Sequence, residues 1–322
     1  MKTELLITEK RTGKLWDAAP CVSTASYTTN RTGSPGKFTF TLIKAGGISF
    51  VEGDVVRFSV DGQVVFCGWV FHKSKDRWGI IEVTCYDSMR YLKANASYHF
   101  YGQTAGQILQ QIAADFQLPV STIEDTGYPI PSLLEDDQSC LDIIEAAIQQ
   151  TLLNTGKVFV LFDDGNGLSL REAANMKTNV VLGDRSLVTN YKYETDIDKQ
   201  TYNSIKLVRE NEETGKAEVV EVKDSANIAR WGLLRLYQTV DGETNTAKMR
   251  EQAETMLSYY NRRLRTLSVE SLGVLGLRAG MMILMKIQGL GDIDLDQEVM
   301  IEKITHTFEN DKHTMSFDTL AI

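Results

Sequence analysis

The chain has 322 residues, of which 43% are apolar and 24% charged, and a formal net charge of −9. A chain of this size buries well over half of the surface its unfolded form exposes, so it folds into two or three domains without covalent staples. The acidic balance, with both signs interspersed, excludes a protein whose main task is to neutralise nucleic-acid phosphates, and no specific nucleic-acid binding is expected.

From Cys21 to Tyr91 the sequence reads as strands separated by turns: FTFTLI, the Ala45-Gly46-Gly47 turn, DVVRFSV, the Asp61-Gly62 turn, VVFCGWVF and IIEVTCY. Asp-Gly between two β-branched runs is a strong hairpin signal. Residues 1–97 therefore read as a first β-barrel domain. The period then changes. Thr104 with Gln107 forms a capping pair, and Ile108, Leu109, Ile112, Ala113 and Phe116 repeat at helical spacing until Leu118-Pro119. A second helix starts near Ser139, presents Leu141, Ile144, Ala147, Ile148 and Leu152, and stops at Gly156, where a left-handed cap is required. KVFVLF and LSLRE, joined by Asp163-Asp164-Gly165-Asn166-Gly167, form a hairpin. Residues 98–182 thus read as a small α/β module.

Strand patterning returns from Leu187 with LVTNYKYE, SIKLVRE and AEVVEVK, the last two joined near Thr214-Gly215. One helix interrupts this region: Ala253, Met256, Leu257, Tyr260 and Leu264 repeat after a capping Asn245 or Thr246. LRTLSVES, MMILMKI, EVMIEKITHTFE and HTMSFDTLAI complete a second barrel domain over residues 183–322. The predicted class is mainly β (α+β), two related barrels flanking a small α/β module.

The barrels are read as related because EGDVVRFSV…VVFCGWVFHKSKDRWGIIEVTCYDS and RAGMMILMKI…EVMIEKITHTFENDKHTMSFDT share one pattern. Each runs from a glycine (Gly53, Gly280) through an apolar strand and a hairpin to a histidine (His72, His306). A short charged turn and an alternating strand follow, through Thr84 or Thr314 to Asp87 or Asp318.

In pattern and order the chain resembles the hub proteins of contractile phage tails, the group containing the T4 baseplate hub, the Mu-type tail protein D and the XkdQ-like proteins of defective prophages. The best local piece is Asp224 to Gly232, DSANIARWG, in which Trp231 stands where the family often has tyrosine. The resemblance implies barrels similar to the tail-tube fold and a homotrimer whose six barrels imitate one tube ring. It implies as partners a tail tube protein, a spike protein and other baseplate proteins, within a virion or tail-like particle. The function rests on the resemblance alone, since one fold hosts many roles.

The residues suggest no enzyme, cofactor or metal. The four histidines, His72, His99, His306 and His313, accompany no GxSxG elbow. The glycines of Arg31-Thr32-Gly33-Ser34-Pro35-Gly36-Lys37 lack phosphate-loop spacing, and a strand follows them. Asp292, Asp294 and Asp296 alternate as in calcium loops, but Gln297 and Lys303 stand where glycine and glutamate are needed. Glu135, Asp136 and Asp137 precede the helix at Ser139, where the helix dipole favours acids. Arg262, Arg263 and Arg265 read as a basic helix C-terminus next to Tyr259 and Tyr260. Cys21, Cys67, Cys85 and Cys140 are scattered and read as small buried hydrophobes in a reducing compartment.

The N-terminal run MKTELLITEKRTGKLW lacks the apolar core of a signal peptide. The most apolar segment, Met281 to Ile287, contains Lys286 and suits a buried strand, so no membrane anchor is expected and assembly begins in the bacterial cytoplasm. The competing reading is a tail-associated protein that binds or degrades cell wall through the 98–182 module.

Overall fold

The computed structural model describes residues 1–43, 47–211, 216–240, 244–290 and 293–321. The architecture is mainly β. The first strands are β1 (Thr3–Thr8), β2 (Leu15–Asp17), β3 (Val22–Asn30), β4 (Lys37–Leu42), β5 (Val55–Val60), β6 (Gln63–Lys75) and β7 (Ile81–Tyr86). Alternation decides which side of each strand is buried: Phe38, Phe40 and Leu42 of β4, Val56 and Phe58 of β5 and Val83 and Cys85 of β7 all enter one core. Phe38 stacks between Phe58 and Phe66, with ring centroids 5.0 and 4.9 Å away. The Asp61-Gly62 turn has positive φ at both residues, 49° and 83°, the backbone that a tight hairpin requires.

The α/β module follows with β8 (Asn95–Gln103), α1 (Ala105–Asp115), β9 (Val120–Ile123), β10 (Ile130–Ser139), α2 (Cys140–Thr155), β11 (Phe159–Asp163) and β12 (Leu168–Glu172). Thr104 and Gln107 form the reciprocal capping box at α1, and Gly156 leaves α2 with φ 71°. Both helices bury one face, through Ile108, Ile112, Leu141 and Ile144, against β11 and β12. Two small sheets complete the module: β8 pairs with β10, and β12 lies between β11 and β9. Neither β8–β10 nor β9 stands out in the residue pattern. β9 has only four residues, and its pairing with β12 is parallel and depends on the fold.

The last part holds β13 (Lys177–Gly183), β14 (Val188–Asp196), β15 (Ser204–Asn211), β16 (Lys216–Lys223), α3 (Ser225–Trp231), β17 (Arg235–Thr239) and α4 (Thr246–Tyr260). The final strands are β18 (Leu264–Leu272), β19 (Met282–Leu290), β20 (Ile293–Glu309) and β21 (Lys312–Ala321). Two corrections arise here. The region contains α3 as well as α4; α3 is only seven residues long, too short for an apolar period, and is defined by Asp224 accepting from the Ala226 and Asn227 amides. SIKLVRE and AEVVEVK do not join the large sheet. They are β15 and β16, which with β17 form a separate three-stranded sheet, covered by Met249, Ala253 and Met256 of α4. This sheet and its helix belong to a compact unit that includes Tyr193–Thr266 and Leu153–Gly156. The Thr214-Gly215 turn lies outside the described residues.

The strands from the two ends of the chain lie in one sheet, thirteen-stranded among the described residues. Its first half runs β3-β4-β7-β6-β5-β1 and its second β14-β18-β21-β20-β19-β13, the same order of corresponding strands. The halves differ at the last pair, antiparallel for β1–β5 and parallel for β13–β19. Gly53 and Gly280 make the same bonds. Gly53 N–H donates to Val70 and Val70 N–H to Asp54; Gly280 N–H donates to Ile301 and Ile301 N–H to Met281. Val70 thus corresponds to Ile301; His72 lies two residues beyond Val70, whereas His306 lies five beyond Ile301. His72 and His306 are therefore not equivalent, as the matched motifs had suggested. The bulge in β6 after Val70 adds one more residue to this offset, so short motifs are misleading guides to register.

Gly53 has φ 90° and open space where a Cβ would stand, whereas Gly280 has φ 86° and the Val160 side chain there. Gly53→Ala should cost about 1–2 kcal/mol from backbone strain alone. Gly280→Ala should cost distinctly more. Urea unfolding midpoints of the two variants test this, and equal losses would contradict it.

Candidate assembly interface

The two halves of the sheet meet along one ladder, with β3 antiparallel to β20 from Asn30 opposite Lys303 to Thr24 opposite Glu309. Alternation along β20 gives this ladder two faces. Phe308 points into the first core and meets the Phe58 ring edge-on at 5.1 Å. On the other face the hydroxyls of Thr28 and Thr305 hydrogen bond at 2.8 Å. At one end Arg31 Nε reaches both carboxylate oxygens of Glu302, at 2.8 and 2.9 Å. The Ala279 amide, just before Gly280, donates to Thr29 Oγ1 at 3.0 Å. The ladder is therefore closed by backbone pairing, one aromatic anchor and a polar clamp.

Beside it lies a buried polar cluster lining a cavity of about 130 Å³. Asp87 accepts from the Gly36 amide at 2.8 Å and the Met89 amide at 3.1 Å. Asp163 accepts from the Ser88 amide at 3.0 Å, the Ser88 hydroxyl and the Gly165 amide. Arg278 donates through Nη1 to the Asp163 carbonyl at 2.9 Å and stacks on Phe162 at 3.9 Å. Its Nε is buried with no partner among the described residues. Burial pushes the Asp87 carboxyl up to about 8, helped by Asp163 and opposed by the two amides and Arg278. Burial also raises the Tyr27 hydroxyl above its ordinary value. The cluster ties the turn before β4, the segment after β7, the β11–β12 turn and the segment before Gly280 to one another.

Most residues singled out in the sequence have structural employment. His306 is buried; its Nε2 bonds the Leu277 carbonyl at 2.9 Å and its Nδ1 meets His313 Nε2 at 2.9 Å. Burial lowers both imidazoles, His313 to about 4. His99 bonds Ser132 and Tyr101, while His72 is exposed. In the Arg31–Lys37 turn, Gly33 contacts Glu145 and Lys93, and Gly36 contacts Asp87. Asp294 accepts from the Gly289 amide and Asp296 pairs with Lys286, while Asp292 lies outside the described residues.

Two sequence readings change. Asp136 and Asp137 do not serve the α2 dipole; they occupy a bulge in β10 and bond Ser97 and Asn95 of β8. The helix start is held by Ser139 and Asp142. Arg265 lies on β18, bonded to the Tyr193 hydroxyl, and Arg262 follows α4 over the Tyr259 ring, so the three arginines are not one helix end. Cys85 and Cys140 are buried as expected, whereas Cys21 and Cys67 are half-buried. The sequence reading missed Arg278, Asp163 and the Arg31–Glu302 pair. Nothing in spacing could have joined them, because their partners lie far along the chain.

Phe308→Ala should destabilise the chain by about 3–5 kcal/mol, since it empties a packed core position. Arg31→Ala should cost under about 1 kcal/mol, because the pair is partly solvated. Denaturant unfolding of both checks the ranking. For Asp87, a folded value above the unfolded one means that stability is full below about pH 4 and is lost as pH rises toward about 8. The lowered histidines act oppositely, losing stability as pH falls from about 6.5 toward 4. Between about pH 6.5 and 8 the Asp87 contribution should dominate this pair of effects. Asp87→Asn should therefore flatten the fall in urea midpoint across that window; an unchanged slope would refute the assignment.

The fold and sequence have clear relatives. The model of the family described as "YQBQ-like" matches residues 25–319. The uncharacterised protein YqbQ of Bacillus subtilis (strain 168) is 32% identical over 276 residues, 84% of this chain and 82% of that protein. The phage-like element PBSX protein XkdQ of the same strain is 29% identical over 275 residues, with the same coverages. Among solved structures, a tail protein from Neisseria meningitidis MC58 has the same fold, with a TM-score of 0.74 and 16% identity over 100% of this chain and 97% of that one. A continuous match over both halves of the sheet and the module between them makes this chain a member of the YQBQ-like family.

Proposed function

We propose that the chain is a structural hub subunit in the baseplate of a contractile phage tail or phage-tail-like particle. Three copies form a ring that joins the tail tube to the central spike. The observation that carries this reading is the repeated strand order of the two sheet halves, which β3–β20 joins into one continuous sheet. We take residues 1–97 and 183–322 as two barrels around the 98–182 module. Three such chains present six similar barrels, a pseudo-sixfold face suited to a six-membered tube ring and a true threefold face suited to a spike. Closed cyclic symmetry stops a head-to-tail contact from growing into a filament.

The relatives support the setting: one is named for a phage-like element and another is a tail protein. The residues gathered at the ladder are engaged in packing and hydrogen bonds, which fits a mechanical role. Homotrimer, tube, spike and other baseplate proteins are the partners of this reading, with the particle baseplate as its location. Electron microscopy of intact particles tests it. Density for three copies around the tail axis, between tube and spike, is the expected result. Six copies per ring, or a position away from the axis, would overturn the reading.

A further inference from the structure

Directly opposite residues of an antiparallel ladder share one face of the sheet. Thr305 lies opposite Thr28, Thr28 opposite Lys37, Lys37 opposite Tyr86 and Tyr86 opposite Trp69. One row therefore crosses from β20 through β3, β4 and β7 to β6, on the face turned away from Phe38 and Phe308. Lys303 stands beside this row, opposite Asn30. The short 3₁₀ turn Ser88–Lys93 forms a wall: Met89 and Leu92 are buried, and Arg90 and Lys93, also three apart, share another side that lines the space. With Ser34 and Pro35 these residues enclose a groove of about 670 Å³.

Lys37, Arg90, Lys93 and Lys303 line this groove, and no carboxylate does among the described residues. Lys37 and Lys303 are exposed, and their side chains make no hydrogen bond or ion pair among the described residues. Arg90 lies over the Phe71 ring at 5.4 Å and has no carboxylate partner among them. Lys93 is partly engaged, since it donates to the Gly33 carbonyl at 2.9 Å and acts on Glu145. The Thr28 and Thr305 hydroxyls bond each other, which leaves one O–H to donate. The positive area is bounded. Glu82 follows on the same face of β7, and Lys303 borders a second depression that contains Glu270 and Asp318.

We propose that this groove docks an extended, acidic segment of a partner protein, whose carboxylates meet Lys37, Lys303 and Arg90. Lys37 and Lys303 sit on strands separated by β3, about 10 Å apart across the sheet, and alternate side chains of an extended segment repeat about every 7 Å. Two flexible lysines span that difference. The groove continues into Trp69, Phe71 and Tyr91, and tryptophan, tyrosine and arginine are the side chains that anchor protein interfaces. A nucleic acid fits less well. Trp69 meets Tyr91 edge-on at 5.4 Å, Phe71 meets Tyr86 edge-on at 5.5 Å, and Arg90 covers Phe71, so few ring faces are open for bases to stack on. The flanking acids also interrupt any basic track for a phosphate backbone. The inference stands apart from the ring reading, because the groove belongs to one chain.

Fluorescence anisotropy on the purified full chain tests it, with a labelled short peptide that alternates Asp with Ser and Phe. The same peptide with Asn for Asp and a labelled single-stranded oligothymidylate serve as comparisons. The expected result is salt-sensitive binding of the acidic peptide and none of the Asn peptide. Lys37→Glu with Lys303→Glu should weaken binding by about tenfold or more, because it sets like charges against each other. Lys37→Gln with Lys303→Gln should give a smaller loss at an unchanged urea midpoint. Arg230→Glu with Lys312→Glu makes the same change of net charge at exposed residues outside the groove and should leave binding intact. No binding of the acidic peptide, or equal losses from the two Glu pairs, would overturn the proposal. So would tighter binding of the oligothymidylate, which makes the groove a nucleic-acid site. Self-association of the chain that Lys37→Glu with Lys303→Glu abolishes would overturn it in favour of a second copy as the occupant.

Discussion

The structure depends on the antiparallel pairing of β3 with β20, which brings together residues such as Thr28 and Thr305, separated by 277 positions. A ladder between segments so distant costs closure entropy before any contact rewards it. What offsets that cost is local and cooperative. The backbone bonds of seven facing pairs, from Asn30–Lys303 to Thr24–Glu309, form together with the burial of Phe308. Once the ladder exists, the first core is completed by a side chain from the other end of the chain. The N-terminal strands and the C-terminal hairpin then become parts of one cooperative unit.

The buried acids are the less economical feature. Asp87 is buried, with Asp163 close enough to disfavour its charge further, and an apolar packing of the same volume would avoid that desolvation. What they supply is specificity of connection. Each carboxylate collects donors from turns that alternation alone would leave loosely placed. Arg278 links the cluster to the segment that leads into Gly280, so the geometry of the turn and that of the ladder are set together.

The repeated half-sheets share a strand order and are joined inside one molecule by β3 and β20. The separate sheet of β15, β16 and β17 with α4 has its own core and adds no strand to the large sheet.

By itself the sequence determined what is local. The capping box at Thr104, the left-handed exit at Gly156, the Asn245 cap and the alternating strands are each fixed by residues within a few positions of one another. It also carried the resemblance of the two hairpins, because a glycine-led apolar strand is written in order along the chain. The tertiary structure alone decided partner choice and register. A period of two says which face a strand buries but not which strand lies beside it, so β15 and β16 looked no different from β14 and β18. The matched bonds of Gly53 and Gly280 set a register that displaces the histidine match which short motifs had made plausible. Asp87, Asp163 and Arg278 come together only because three distant turns are drawn to one cavity, and no spacing within the sequence expresses a distance that only folding creates.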